Sequence, residues 1–394
     1  MDSQFLPYGK QDINEDDIEN VVNVLKSDFL TQGPTHTKFE KEIAKKVNSK
    51  YCVSFNSATS ALHIACLSLG LGKSDIVWTS PITFVASANC ARYCGADVDF
   101  VDIDKETGLM SILCLEKKLV EAQKNRKLPK IVIPVHLAGV SCNMKKIHEL
   151  AKKYNFFIIE DASHALGGKY EEFSVGSCKY SDITIFSLHP VKIITSAEGG
   201  LATANSEFIA DKMRSLSSHG ITKDKKKFIG NSFELWRYEQ QDLGYNFRLN
   251  DVSAALGLSQ LKRLDKFIDK RNKIAKIYLN KLSKLPLKFL IPPDKVKSSY
   301  HLFIVQLEDE YICHYEYFFN FLRSKNIGVQ LHYLPVHLQP YYQKLGFKNE
   351  MFPEAEKYSK SSMSIPIFPY IQKEDIERVV RNIEILFEEI SKNK

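Results

Sequence analysis

The chain has 394 residues, of which 44% are hydrophobic, so it is long enough to bury a large core and to form two domains. Its formal net charge of +7, from 54 basic and 47 acidic residues, is too small to require a nucleic-acid partner. Eight cysteines occur without any Cys-x-x-Cys pair, which is typical of a reducing compartment, and we expect a cytoplasmic protein. The start of the chain lacks the layout of a signal peptide, and no apolar run approaches the roughly 20 residues of a membrane helix.

Strands and helices are predicted to alternate over the first part of the chain. In order, the predicted elements are helices at 12–27 and 35–47, a strand at 51–55, a helix ending at 69, a strand at 76–79, a helix at 84–94, strands at 97–101 and 130–135, a helix at 144–154, and strands ending at 161 and 186. Such alternation is typical of a mainly parallel sheet covered by helices on both faces. Functional side chains are then expected at the carboxyl ends of the strands.

The remaining residues predict a second, smaller domain. A long helix, with a kink left open, is predicted over 250–282. Strands are predicted at 300–307 and 328–331, and helices at 315–324 and 373–390. We therefore divide the chain into a large α/β domain at 1–250 and a unit at 251–394 that contains the linking helix and the small domain.

The segment Asn56-Ser57-Ala58-Thr59-Ser60-Ala61 follows the first strand and opens a helical pattern. Small residues let a phosphate approach the backbone, and a helix N-terminus offers free amides and the positive end of its dipole. Ser57, Ala58 and Thr59 are therefore candidate phosphate ligands. The alternative is an ordinary Ser/Thr helix cap.

The apolar strand at 156–159 ends in two acids, Glu160 and Asp161, and His164 follows three residues later. Alternation along the strand predicts that the two carboxylates lie on opposite faces, so that only one of them can serve a given site. The alternative is a strand end whose acids cap a helix or bind a metal.

Lys192 lies just after the strand that ends at Phe186. A lysine with apolar neighbours at a strand end can be desolvated, which lowers the pKa of its amine and allows it to hold an aldehyde cofactor covalently. Asp161 supplies the carboxylate that keeps the ring nitrogen of pyridoxal phosphate protonated, so we predict this cofactor. Ser187 is a further candidate for its phosphate. The alternative is a lysine whose amine simply reaches solvent from the strand end.

In their order and spacing, these segments resemble the nucleotide-sugar aminotransferases of the DegT/StrS group, which belong to the fold-type I pyridoxal-phosphate superfamily. The resemblance covers nearly the whole chain and includes the segments 29–33, 83–89, 214–220, 243–250 and 331–335. It implies a fold-type I α/β architecture, with a mainly parallel central sheet flanked by helices and a smaller C-terminal α+β domain. It also implies a homodimer with shared active sites.

Within that group, five segments are similar in sequence to the transaminases of pseudaminic acid biosynthesis. They are the phosphate loop at 56–61, Ser163–Gly167, the lysine segment at 189–192, Ser218–Gly220 and 236–246. These enzymes move the amino group of glutamate to carbon 4 of a UDP-linked 4-keto-6-deoxy-2-acetamido sugar. Two residues depart from the subgroup. Ile193 stands where proline is common, and Leu334 stands where lysine is common.

The resemblance further implies roles for single residues. Phe84 stacks on the cofactor ring, with plain core packing as the alternative, and His164 lies over the ring or reaches its phenolic oxygen. Asn246 and Arg248 reach in from a second subunit, where Asn246 completes the phosphate site and Arg248 binds a glutamate carboxylate; a surface salt bridge beside a helix start is the alternative. Thr31, His332 and Tyr333 contact the substrate. His332 and His337 lack a third ligand nearby in sequence, so no metal is expected.

Three other functions stay open. One is a sister aminotransferase for another nucleotide-linked 4-keto-6-deoxy sugar, of the perosamine or bacillosamine type. A second is a dehydratase of the same superfamily, in which histidine replaces the lysine, so Lys192 argues against it. The third is a non-catalytic scaffold, which the combination of Lys192, Asp161 and His164 disfavours.

Overall fold

The structure is a computed structural model that describes residues 4–229 and 234–392. In chain order the helices are α1 (Glu15–Leu25), α2 (Pro34–Val47), α3 (Ala58–Ser68), α4 (Ala86–Tyr93), α5 (Ile112–Lys124), α6 (Met144–Tyr154), α7 (Glu207–Ser217), α8 (Asp251–Leu261), α9 (Leu264–Leu282), α10 (Tyr315–Ser324), α11 (Pro340–Gln343), α12 (Pro353–Ser361) and α13 (Lys373–Lys392). The strands are β1 (Tyr51–Phe55), β2 (Ile76–Thr79), β3 (Asp97–Phe100), β4 (Ile131–Ile133), β5 (Phe157–Asp161), β6 (Lys169–Tyr170), β7 (Phe173–Ser174), β8 (Ile183–Ser187), β9 (Gly200–Ala204), β10 (Ile221–Thr222), β11 (Glu239–Gln240), β12 (Leu287–Phe289), β13 (Val296–Lys297), β14 (Phe303–Leu307) and β15 (Ser362–Ile365).

Seven strands form the central sheet, in the order β1-β9-β8-β5-β4-β2-β3. Strand β9 runs antiparallel to both of its neighbours, and the pairs from β8 to β3 are parallel. All five residues of β9 and the first four of β8 are buried, as expected for strands covered on both faces. The mainly parallel α/β fold expected from the sequence is therefore confirmed.

The pairing of β5 with β8 sets which side chains meet at the carboxyl edge of this sheet. Asp161 lies opposite Ile185, and the amide of Ala162 donates to the carbonyl of Ile185 at 2.9 Å. Because the two strands are parallel, the turn after Asp161 and the loop after Ser187 leave the sheet at the same edge.

The C-terminal part has its own antiparallel sheet, β12-β14-β15, which packs with α9, α10 and α13 around a separate apolar cluster. The start of the chain joins this cluster, since Leu6 pairs with Ile327 and the carbonyl of Tyr8 accepts from the amide of Ile367 at 2.9 Å. A division of the chain at residue 250 stays a prediction.

Two predicted elements differ from the structure. The long helix is two helices, α8 and α9, because Arg263 leaves helical geometry between them and forms ion pairs with Asp12 and Asp17. The strand predicted at 328–331 is wrong. This segment is shared between two neighbours, with the amide of Gly328 donating to Leu6 and Gln330 pairing singly with Ser364, so no continuous ladder forms.

Within the described residues, no helix is both long enough and apolar enough to span a bilayer. All eight cysteines are free thiols.

Arg271, on α9, is 1% exposed, and its Nη1 donates to the carbonyls of Tyr300, His301 and Ile367 at 3.1, 3.2 and 3.0 Å. We call this arrangement the Arg271 clamp. Burial lowers the pKa of its guanidinium to about 9. We expect Arg271→Met to destabilise the protein by on the order of 3 kcal/mol, because three buried carbonyls lose their donor. Thermal unfolding followed by circular dichroism measures this loss.

The matched control is Arg381→Met, which removes an exposed arginine from α13. It should change stability by no more than about 0.5 kcal/mol. Equal unfolding midpoints for Arg271→Met and Arg381→Met would contradict the role given to the clamp.

Candidate active site

A cavity of about 510 Å³ opens at the carboxyl edge of the central sheet. The site residues predicted from sequence that line it are Ser57, Ala58, Thr59, Phe84, Asp161, His164, Ser187, Lys192, His332 and Tyr333. Thr31, Asn246 and Arg248 lie outside this lining. The structure thus brings residues from four strand ends and from the C-terminal part into one cavity.

Lys192 is held at the cavity by the loop after β8. Its amide donates to the carbonyl of His189 at 2.9 Å, and the hydroxyl of Thr195 donates to the carbonyl of Leu188 at 2.9 Å. The next two residues, Ile193 and Ile194, are buried in the core, so the Ile193 departure fills an apolar position. Burial lowers the pKa of the Lys192 amine to about 8, although the charge of Asp161 opposes this shift.

Asp161 is buried and held by two donors. Its Oδ2 accepts from the hydroxyl of Ser87 at 2.5 Å, and its Oδ1 accepts from the amide of Ser163 at 3.1 Å. The Ser87 hydroxyl also lies 2.7 Å from that of Thr83. These bonds orient the carboxylate, and each oxygen keeps a second lone pair for a further donor.

Glu160 points away from the cavity, as the alternation of the strand predicted. Its carboxylate accepts from the hydroxyls of Ser181 and Thr184 at 2.5 and 2.9 Å and lies 2.7 Å from Nε2 of His136. Burial lowers the pKa of His136, but hydrogen bonds with Cys142 and Glu160 outweigh burial and raise it to about 10. Glu160 therefore belongs to a buried hydrogen-bonded pair with His136 on the opposite face.

The N-terminus of α3 forms the other end of the cavity. Ser57 caps this helix, because its Oγ accepts from the amide of Ser60 at 3.1 Å. The helix-cap reading is thus correct for Ser57, and the same residue still lines the cavity. The first amides of a helix have no partner within it, which leaves those of Ala58 and Thr59 for an anion. A side chain at Gly200 would overlap the carbonyl of Ser57, so β9 passes close behind this turn.

Aromatic and imidazole side chains close the cavity from the side. Phe84 is 59% exposed and faces the cavity, so the core-packing alternative is wrong. Nε2 of His164 lies 3.1 Å from the hydroxyl of Tyr333, and burial together with the charge of Lys192 holds the pKa of His164 well below its usual range. Nδ1 of His332 lies 2.8 Å from the hydroxyl of Ser364, and burial lowers the pKa of His332 to about 3.

His332 and Tyr333 were expected at the end of a small-domain strand. They instead occupy irregular backbone after the single Gln330–Ser364 pair. Leu334, the second departure, is 45% exposed.

Of Thr31, Asn246 and Arg248, it is Arg248 that pairs with the end of β1, at Phe55. Thr31 is exposed and pairs with Asn250, and the guanidinium of Arg248 donates to the hydroxyl of Ser218 at 2.9 Å. Asn246 is exposed, while the carbonyl of its neighbour Phe247 accepts from the amide of Asn56 at 2.8 Å. No group of three or more His, Cys, Asp or Glu side chains within residues 4–229 and 234–392 is arranged to bind a metal ion.

Among the residues that the sequence reasoning missed are Tyr8, in the cavity wall, and Ser87, which supports Asp161. Tyr8 reaches the cavity from the N-terminal segment, and its ring lies 5.1 Å from that of His332. Nothing in the local sequence around Tyr8 indicates this position. Ser87 had a signal, because Thr83 and Ser87 are hydroxyls one helical turn apart beside Phe84.

Comparisons with known proteins agree with this geometry. A model of the DegT/DnrJ/EryC1/StrS aminotransferase family matches residues 11–384. A UDP-4-amino-4,6-dideoxy-N-acetyl-beta-L-altrosamine transaminase from Campylobacter jejuni is 38% identical, over 98% of this chain and 99% of the relative.

Two solved structures are similar over the whole fold. Helicobacter pylori PseC, an aminotransferase involved in the biosynthesis of pseudoaminic acid, superposes with a TM-score of 0.90 at 30% identity, over 98% of this chain and 100% of that chain. The PLP-form of Spr1654 from Streptococcus pneumoniae gives a TM-score of 0.88 at 27% identity, over 98% of this chain and 99% of that chain.

The chain belongs to the DegT/DnrJ/EryC1/StrS aminotransferase family, and it is a nucleotide-sugar aminotransferase that depends on pyridoxal phosphate (PLP). The cavity fits this cofactor on its own evidence. It combines a lysine of lowered pKa, a buried carboxylate with free lone pairs, an exposed aromatic ring and a helix N-terminus.

The lowered pKa of Lys192 gives a prediction for the cofactor-free protein. Acylation of its amine should rise with pH through a midpoint near 8, because only the neutral amine reacts, whereas ordinary exposed lysines titrate near about 10.4. Asp161→Asn should move this midpoint lower, since the charge of Asp161 favours the protonated amine. Peptide-resolved mass spectrometry measures each lysine separately. A Lys192 midpoint shared with the bulk of the lysines would refute the prediction.

Proposed function

We propose that this enzyme transfers the amino group of glutamate to carbon 4 of a UDP-linked 4-keto-6-deoxy-2-acetamido sugar. The observation that carries the proposal is the placement of Lys192 and Asp161 in one cavity, together with the full-length similarity to the altrosamine transaminase. The product would be of the UDP-4-amino-4,6-dideoxy-N-acetyl-altrosamine type.

The residues that would hold PLP follow from the geometry of the cavity. The amides of Ala58 and Thr59, with the hydroxyls of Thr59 and Ser187, would bind its phosphate. Ser57 contributes mainly as the helix cap, since its Oγ already accepts from Ser60. Asp161 would bind the ring nitrogen, and Phe84 would cover one ring face.

When bound, PLP supplies an electron sink at the amino-bearing carbon. Lys192 would hold the cofactor covalently, and its free amine would carry a proton to and from the reacting carbon. A lowered pKa suits this task, because the amine can be neutral near pH 8. Positioned proton transfer of this kind is typically worth about 10²–10⁴-fold in rate. His164 would lie over the ring or meet its phenolic oxygen.

The substrate residues would surround the open side of the cavity. His332 and Tyr333 line it and would contact the sugar or its diphosphate. Arg248 suits a glutamate carboxylate, because its planar guanidinium can donate two parallel hydrogen bonds. Thr31 pairs with Asn250, which follows Arg248 by two residues, so Thr31 lies near Arg248.

We propose that two chains share their active sites. Large apolar side chains are exposed near Asn246, with Trp236 at 82% and Leu243 at 84%, and Phe29 beside Thr31 at 54%. Large apolar side chains left exposed in these two segments make a surface that is typical of a protein interface. A second copy packed on it would bring Asn246 and Arg248 to the neighbouring cavity.

The purified enzyme should carry a visible PLP absorbance that glutamate bleaches and that the correct keto sugar restores. The test is to bleach the enzyme and screen UDP-, GDP- and dTDP-linked keto sugars for return of the absorbance. The UDP-linked 2-acetamido sugar should restore it fastest. Borohydride reduction followed by peptide mapping should tag Lys192, and Lys192→Ala should bind cofactor without turnover.

Clear preference for GDP- or dTDP-linked sugars that lack the acetamido group would refute the substrate assignment and leave the aminotransferase intact. A borohydride tag on any other lysine would refute the assignment of Lys192.

Shared sites predict complementation between an inactive chain and an impaired one. Lys192→Ala chains mixed with Asn246→Ala chains, under subunit exchange, should recover about a quarter of wild-type activity, because one site of each hybrid dimer has both residues. Enzyme activity after exchange measures this recovery.

The matched control mixes Lys192→Ala with Asp161→Ala, which lie in the same chain's cavity and should give no recovery. If proven hybrid dimers of Lys192→Ala and Asn246→Ala are also inactive, Asn246 does not serve the neighbouring site.

A further inference from the structure

Three side chains stack beside the cavity, and we call them the histidine stack: Tyr333, His164 and His301. The ring of His164 lies 6.1 Å from that of Tyr333 at an angle of 23°, and 4.4 Å from that of His301 at 43°. Tyr333 and His164 line the cavity, whereas His301 lies behind them. His301 therefore packs against the site through His164.

The hydrogen bonds of His164 define its tautomer. Its Nδ1 accepts from the amide of Ala138 at 3.3 Å, so the neutral ring carries its hydrogen on Nε2. Nε2 then donates to the hydroxyl oxygen of Tyr333 at 3.1 Å. The hydrogen of the Tyr333 hydroxyl is left to point elsewhere, which makes it a donor at the cavity wall. A rotation of the His164 ring would change which of the two side chains, His164 or Tyr333, donates the hydrogen bond.

His301 is 4% exposed, and its Nδ1 has no hydrogen-bond partner. Its contact with His164 is therefore a packing contact between rings. Burial, and then interactions with the neighbouring basic groups His164, Lys192, Arg271 and His332, hold the pKa of His301 well below its usual range. A neutral ring behind His164 adds no charge that would oppose a cation in the cavity.

The backbone of His301 is fixed relative to His164. The Arg271 clamp holds the carbonyls of Tyr300 and His301. The hydroxyl of Ser299 donates to the carbonyl of His164 at 2.5 Å, and the amide of Ser299 donates to the carbonyl of Gly139 at 3.1 Å. These hydrogen bonds thus fix the backbone that carries the His301 ring beside His164.

We propose that His301 is a positioning residue for the transamination. Its ring packs against His164 and keeps that imidazole turned so that Nε2–H faces Tyr333 at the cavity wall. The proposal rests on the cofactor placement proposed above. Removing the ring leaves a space behind His164, into which His164 can turn or water can enter.

The test compares His301→Ala with His301→Phe in the full-length holoenzyme. The phenylalanine keeps a neutral flat ring, so kcat should stay within about threefold of wild type, with KM for the sugar nucleotide unchanged. The alanine should lower kcat by roughly 10- to 100-fold through misplacement of His164, with little change in KM. His301→Leu, which fills the space without a flat ring, should resemble the alanine and replaces it if that variant does not fold.

The pH dependence provides a readout that a purely structural role would not change. In the wild type, burial keeps His164 neutral. In His301→Ala, water behind the ring should raise the pKa of His164 toward about 6.5, so protonation should appear as pH falls through that value, against the charges of Lys192, Arg271 and any protonated His332. Both the kcat/KM profile and the pH titration of the bound-cofactor absorbance should gain this ionisation.

The control is Tyr300→Phe, which removes only a hydroxyl from the neighbouring residue and should leave all readouts as in wild type. An unchanged kcat and pH profile in His301→Ala would overturn the proposal, and so would a loss in His301→Phe as deep as in His301→Ala. If wild-type enzyme does not bleach with glutamate, the proposed function fails first. If it bleaches and the variants behave alike, only the role of His301 fails.

Discussion

The active site depends on the register between β5 and β8, in which Asp161 lies opposite Ile185. A slip of one residue would turn every side chain of β5 to the other face. Glu160 would then enter the cavity, and Asp161 would meet the hydroxyls of Ser181 and Thr184 instead. Both carboxylates are buried, so the partners of each one penalise the wrong register: Ser87 and the Ser163 amide on one face, and His136 on the other.

The electrostatics of the cavity follow from the same packing. Around Lys192, the imidazoles of His164, His301 and His332 all have pKa values lowered by burial and by the positive charge of the lysine. They are polar groups that do not add charge. The pKa of the Lys192 amine is therefore set mainly by two opposing effects, its own desolvation and the charge of the Asp161 carboxylate. A protonated histidine at any of these positions would disfavour the ammonium further and would compete for Asp161.

The sequence predicts well what local patterns encode. Strands β1 and β2 and helix α6 match their predicted bounds, since each has a clear period and turn residues at its ends. Strand β9 was missed because Gly200–Ala204 is a short segment of mostly small residues, buried throughout, which has no alternation of polar and apolar residues to detect. The cofactor cluster followed from motifs. Tyr8 and His301 did not, because their contacts join distant segments; Ser299 and His164, for example, are 135 positions apart.

Tyr8 and His301 escaped prediction for the same reason: the cavity is closed by the C-terminal part, with the N-terminal segment that packs on it, and not by the sheet alone. The contact that joins the two parts needs a special backbone. Ala138 and Gly139 both have positive φ, at 57° and 94°, and a side chain on Gly139 would overlap the hydroxyl of Ser299. That turn presents the Ala138 amide to Nδ1 of His164 and the Gly139 carbonyl to Ser299. One strained turn therefore sets both the tautomer of His164 and the position of the Ser299 segment, which carries His301. The C-terminal part cannot shift without disturbing the site.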